Sequence, residues 1–132
     1  MKSFHLTIAT PDGVKFDGEA EALTVRTTTG DVQILAGHTD YLAALGAGTA
    51  KVTAGGETRR AAANGGFLTV KAGEVSLVST TFEYADEIDL DRAKRALERA
   101  QTKLREAKDG REIDLAKARI ARAMTRINTV EM

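Results

Sequence analysis

Cysteine is absent from the 132 residues, proline occurs once, at Pro11, and histidine occurs twice, at His5 and His38. Without thiols there is no disulfide, thiolate metal site or thiol nucleophile, and the chain suits a reducing compartment. The histidines lack a metal-ligand cluster: His5 falls on a strand face and His38 in the loop before Thr39, so no metal site is expected. No phosphate loop of the G-x-x-x-x-G-K-[ST] type and no G-x-S-x-G nucleophile motif occurs. Gly46 to Gly48 reads as a turn, and the carboxylates are scattered over turns and helix starts. Catalysis by this chain alone is therefore not expected. The opening MKSFHLTIATPDG has no secretory apolar region, and no run approaches membrane-spanning length, so an intracellular chain, at most peripheral to a membrane, is expected.

The length suits one ordinary domain, or a small domain with an appendage. The 19 basic and 19 acidic residues balance overall, but the balance hides a split. Up to Ile88 there are 7 Lys and Arg against 11 Asp and Glu, leaving 12 against 8 beyond it. Pro11 and all glycines except Gly110 also precede Ile88. Charge sign and turn content change together, so a boundary lies near Ile88, with one domain over 1–86 and a second over 87–132.

The first part has the period of strands. Phe4, Leu6 and Ile8 alternate with polar residues before Asp12-Gly13; Leu23 and Val25 share a face, as do Val32 and Ile34. Gly55-Gly56, Asn64-Gly65 and Ala72-Gly73 separate later alternating segments, as tight hairpins require. Tyr41 to Leu45 reads equally as strand or helical turn. The second part has the helical period: Ala93, Ala96, Leu97, Ala100, Leu104 and Ala107, then Ile113, Ala116, Ile120, Ala123, Met124 and Ile127. Asp89 is placed to cap the first helix, with Asp91 in its first turn, and Asp109-Gly110 breaks the pattern. The fold class is α+β, mainly β: an N-terminal antiparallel β-sandwich followed by a C-terminal antiparallel two-helix hairpin. The tetrapeptide EIDL, at Glu87 and again at Glu112, reads as an acidic opening turn suited to each helix dipole. An alanine-rich stripe gains little from docking, because each buried methylene contributes only roughly 0.8 kcal/mol; the hairpin should be lightly held.

Arg99, Arg119, Arg122 and Arg126 have no acid three or four residues away on their own helices. Folding the hairpin about residues 109 and 110 brings Arg99 opposite Ile120 and Arg92 opposite Ile127. Arg92, Arg95 and Arg99 then approach Arg119, Arg122 and Arg126. Such a cluster calls for an anionic acceptor or is screened by salt. A phosphate ligand, an acidic helix of a partner protein and nucleic acid would all use these groups, although no aromatic stacking platform or nucleic-acid-binding module accompanies them, so no nucleic-acid partner is expected.

The stretches DGVKFDGEAEALTVRTTTGDVQILAGHTDYLAALGAG, NGGFLTV and EIDLDRAKRALERA, in that order over nearly all of the chain, closely resemble the epsilon subunit of bacterial F-type ATP synthases. Ala36 stands where that family usually has proline, and another proline is common near Asp40. The resemblance implies a non-catalytic central-stalk subunit, peripheral to the cytoplasmic face of the bacterial cell membrane, in a synthase that translocates protons or sodium. Its sandwich would bind the gamma subunit and the c ring, with the Thr27 to Gln33 loop and Asp31 as the ring-contacting edge. Its helices would switch between a folded hairpin and an extended form that inhibits ATP hydrolysis, meeting an acidic segment of the beta subunit. No cofactor is required, but some members bind ATP as a regulatory ligand on the folded hairpin. The matching motif is Ile88-Asp89-Leu90-Asp91-Arg92-Ala93, accompanied by Glu83, Arg99, Arg122 and Arg126. By this resemblance Arg99, Arg122 and Arg126 hold phosphates, while Glu83, Asp89 and Arg92 form the nucleoside side or order the pocket. The alternative is a free-standing ATP-sensing module without the rotor.

Overall fold

A computed structural model describes residues 2–132. Ten strands form two five-stranded sheets. The first contains β1 (Phe4–Thr10), β2 (Gly13–Ala20), β5 (Tyr41–Ala44), β8 (Phe67–Lys71) and β9 (Glu74–Val78), in the order β2-β1-β9-β8-β5. The second contains β3 (Ala22–Thr27), β4 (Gly30–Leu35), β6 (Gly48–Ala54), β7 (Glu57–Asn64) and β10 (Thr81–Tyr84), in the order β10-β7-β6-β3-β4. Period-two alternation turns Leu6, Ile8, Leu68 and Leu77 of one sheet and Leu23, Val25, Ile34 and Phe82 of the other into a common buried core. The ambiguous segment at Tyr41 is strand β5, paired with β8 from Tyr41↔Val70 to Ala44↔Phe67.

All strand pairs are antiparallel except β1 with β9, which run parallel from His5↔Glu74 to Ala9↔Val78. Alternation along a strand fixes its inward face, not its neighbour, so the sequence held no sign of this pairing. One turn also differs from expectation. Gly55-Gly56 and Ala72-Gly73 close two-residue hairpins, with positive φ at all four residues, as such hairpins require. Asn64-Gly65 instead carries the chain from β7 in one sheet to β8 in the other. Gly66 follows at φ 96°, where a Cβ would run into the Val78 carbonyl. Backbone bonds to the Gly65 and Gly66 carbonyls, from Thr80 at 3.4 Å and Leu45 at 2.9 Å, hold the crossing.

After β10 a single 3-10 turn (Ala85–Glu87) leads into α1 (Leu90–Glu106) and α2 (Gly110–Glu131), which pack as an antiparallel hairpin. Asp89 caps α1 by accepting from the Arg92 amide at 3.1 Å, and Asp109 caps α2 by accepting from Glu112 at 2.8 Å. The two EIDL copies therefore do not occupy equivalent places. In the first, Asp89 is itself the cap; the second lies inside α2, because Asp109 takes the cap three residues before Glu112. No described helix is long and apolar enough to cross a membrane.

The hairpin contributes nothing to the main apolar cluster. Within the helices only Ala93, Ala100, Ala116, Ala123 and Thr129 are buried. Met124, assigned to the apolar stripe by spacing, is 47% exposed; it sits about 80° around the helix from Ala116, at the margin of the seam.

Candidate functional site

α2 docks through polar groups set in register on the outer face of the second sheet. Thr49 of β6, Ala62 of β7 and Glu83 of β10 form one transverse row. One helical turn of α2 matches that row: Thr129 bonds Thr49 hydroxyl to hydroxyl at 2.8 Å, and Arg126 Nε donates to Glu83 at 2.7 Å. Because the Thr129 hydroxyl donates to the Thr125 carbonyl at 2.7 Å, Thr49 supplies the proton between the threonines. Arg60 also donates to the Met132 carbonyl at 2.6 Å. Thr129 was not singled out from the sequence. Its only signal is a threonine pair, Thr125 and Thr129, spaced one turn apart on a helix otherwise read for apolar and charged residues.

The space between this docked hairpin and the sandwich is an open cleft of about 590 Å³. Glu83, Ile88, Asp89, Arg92, Ala93, Arg99 and Arg126 all line it. The motif residues reach it because β10, the 3-10 turn and the first turns of α1 follow one another along its wall. Asp12 and Lys15, at the β1–β2 turn, close the opposite side and had not been assigned to the site. Sequence spacing gave no hint of them, since their approach depends on tertiary packing.

Arg122 faces an adjoining groove of about 310 Å³ between the helices, which Arg99 and Arg126 also line. The expected six-arginine cluster is thus rearranged. Arg92 belongs to the larger cleft, Arg95 lines neither space, and Lys103 joins Arg119 in the groove. Measured around α1 from Arg99, Arg92 and Lys103 turn one way by about 20° and 40°, while Arg95 turns about 40° the other way. Arg126, unpaired on its own helix, finds Glu83 on the sheet. Among the described residues, Arg99, Lys103, Arg119 and Arg122 have no carboxylate within 4.0 Å.

Asp31 lies apart from this site. It stands on β4, just past the β3–β4 turn, opposite Arg26, whose Nε donates to it at 2.6 Å. That hydrogen bond holds the Asp31 carboxyl below its ordinary value and raises Arg26. The turn is braced by Thr27, which is buried and donates to the Gly30 carbonyl at 2.7 Å. At the other end of the sandwich, His5 contacts Asp17 of β2 at 2.7 Å and Glu74 of β9 at 2.9 Å. Those bonds, the one to Asp17 foremost, raise its pKa above 6.5.

Both parts of the chain match known family models. Residues 3–85 match "ATP synthase, Delta/Epsilon chain, beta-sandwich domain", and residues 86–131 match the long alpha-helix domain of the same family. The ATP synthase epsilon chain of Bacillus velezensis is 36% identical over 128 residues, covering 97% of each chain. That of Staphylococcus haemolyticus is 37% identical over 133 residues, covering all of this chain and 99% of its own. Among solved structures, a chain in the cryo-EM structure of the Euglena gracilis mitochondrial ATP synthase, OSCP/F1/c-ring, shares the fold with a TM-score of 0.85. It is 24% identical, with 98% of this chain and 82% of that chain covered. With both of its parts accounted for, the chain belongs to the ATP synthase delta/epsilon chain family.

Proposed function

We propose that this chain is a non-catalytic epsilon-type subunit of the central stalk of an F-type ATP synthase, and that its hairpin is a regulatory switch held in the folded state by ATP. The sandwich, with Asp31 on its β3–β4 edge, would contact the c ring and the gamma subunit. Undocked and extended, the arginine-bearing helices would meet an acidic segment of the beta subunit and inhibit hydrolysis.

One observation carries the ligand reading: Glu83, Ile88, Asp89, Arg92, Ala93, Arg99 and Arg126, separated by up to 43 positions, line one cleft, and Arg122 lines the groove adjoining it. Its size falls in the range of about 300–1,000 Å³ usual for small-molecule sites. Glu83, Asp89 and Arg92 sit on the wall formed by β10 and the start of α1, the side suited to a nucleoside. Arg99, Arg122 and Arg126 lie where the cleft passes into the interhelical groove, the side suited to phosphates. A nucleotide bound there would tie β10, α1 and α2 together, which is the linkage a ligand-held switch needs.

Calorimetry with ATP and ADP on the whole chain tests this. ATP is expected to bind more tightly than ADP, and Arg122→Ala to weaken ATP by about tenfold or more, the loss of one charge-assisted contact. No heat of binding at millimolar ATP would remove the ligand reading. Copurification tests the assembly: a complex with gamma and the c ring supports the stalk subunit, while a solitary protein favours a free-standing ATP sensor.

A further inference from the structure

α2 crosses the second sheet in the order of its strands. Arg126 meets Glu83 of β10 and Thr129 meets Thr49 of β6, with β7 between them. The next strands in that direction are β3 and β4, which carry Arg26 and Asp31 as direct partners. Continuing the β3–β6 register two residues past Thr24↔Lys51 sets Arg26 beside Thr49. Its stem runs over Gly48, where an added Cβ would lie only 2.5 Å from the Arg26 Cβ. The C-terminal end of α2 thus runs towards Arg26, with Asp31 one strand farther on.

A helix C-terminus carries partial negative charge and carbonyls without partners, and cations satisfy both. The last turn of α2 has no basic residue of its own. The sandwich supplies one, because Arg60 donates to the Met132 carbonyl at 2.6 Å. Two more stand close by. Arg26 and Lys51 border a groove of about 290 Å³ whose other wall includes Thr125, Asn128 and Met132 of α2. Arg26 is committed elsewhere, however: Asp31, on the same groove, accepts from its Nε at 2.6 Å and from its Nη2 at 3.5 Å. Lys51 attracts that carboxylate through space only. One arginine is therefore shared between the β3–β4 edge and the space beside the helix end, and the carboxylate holds it at the edge.

We propose that the Arg26–Asp31 pair links the β3–β4 edge to the docking of α2. A cationic side chain of a partner that takes Asp31 frees Arg26 for the C-terminal end of α2, and the folded hairpin is held more tightly. This rests on the readings of the hairpin as a switch and of Asp31 as a contact edge, and it does not depend on ATP. The groove leaves the freed guanidinium room to move, and its several donors suit the carbonyls of the last turn. When the hairpin leaves the sheet that acceptor is gone, so the gain belongs to the docked state alone.

Hydrogen exchange on the whole chain without nucleotide tests the link, with Asp31→Asn standing in for a carboxylate taken by a partner. Exchange of the α1 and α2 amides is expected to slow by about fivefold, the effect of one cation at a helix C-terminus. In an Arg26→Gln background the same substitution is expected to change nothing. Unchanged or faster helix exchange in Asp31→Asn would overturn the link. So would slowing that persists without Arg26, because it would come from the lost charge of Asp31 acting on the helix directly. Asp31→Ala repeats the comparison with a side chain that cannot pair at all, and is expected to slow the helices equally. If helices and strands are equally protected in every chain, the hairpin does not open by itself; the switch reading then falls and takes the link with it.

Discussion

Glu83 and Arg126 hold each other at 2.7 Å with roughly a third of each side chain exposed, so a phosphate that takes Arg126 must compete with a carboxylate already in place. The two partners should therefore respond differently to substitution. Arg126→Ala removes a phosphate donor and is expected to weaken ATP by about tenfold to a hundredfold, the range of charged hydrogen bonds. Glu83→Gln keeps the shape and releases the guanidinium, and calorimetry should show a change within about threefold. Equal losses in both variants would mean that Glu83 binds the nucleotide directly. His5 makes a second prediction at this scale. It faces Asp17 and Glu19 on β2 and Glu74 on β9, with Lys71 beside Glu74 on β8. Its folded pKa is raised, so the stabilisation is fully present below 6.5 and is lost as the pH rises through the folded value. Urea unfolding should show a midpoint that falls with pH across that window, and His5→Gln should flatten the fall.

Between the elements, α2 docks through the Thr49–Thr129 hydroxyls, the Arg126–Glu83 ion pair and the Arg60–Met132 bond, and Thr129 is the fully buried partner among them. Thr129→Val keeps the volume and leaves the Thr49 hydroxyl without its acceptor, at a cost of about 1–2 kcal/mol. Hydrogen exchange should then quicken in α1 and α2 by about tenfold; unchanged exchange in the helices would show that the threonines do not anchor them. These contacts mark the limit of what the sequence disclosed. Inward faces of strands, the Asp89 cap and the alanine seam were legible because each depends on local spacing, whereas Asp109, read only as a break, caps α2. The ATP motif was legible only through resemblance, since nothing in its spacing brings Arg126 to Glu83. The parallel β1–β9 pair, the sheet crossing at Gly66 and the Thr49–Ala62–Glu83 row depend on which strands become neighbours, which alternation does not encode. Arg95 was misplaced for a related reason: pairing helix positions across a turn fixes their height along the hairpin and leaves their angle around each helix open.

In the whole molecule, the main apolar cluster ends at Tyr84, and the chain beyond it adds four buried alanines and one threonine. Tyr84 closes the sandwich on its own account: its hydroxyl donates to the Lys15 carbonyl at 3.1 Å, its ring meets Phe82 edge-on, and Arg59 stacks over it at 3.6 Å. Residues 1–86 should therefore fold without the hairpin and unfold cooperatively, keeping the pH response of His5. In the full chain the hairpin should open at lower free energy than the sandwich unfolds. A ligand bound only to the docked state adds about 2.7 kcal/mol at a hundredfold excess over its Kd. Saturating ATP is thus expected to slow exchange of the α1 and α2 amides by about a hundredfold. Strand amides that exchange only by global unfolding slow by the same factor, because neither open state binds the ligand, so the helices stay the faster set. ATP should leave the 1–86 fragment unaffected. Equal protection of helix and strand amides without ATP would show one cooperative unit in place of a switch on a platform, and failure of the fragment to fold would show that the hairpin is structural.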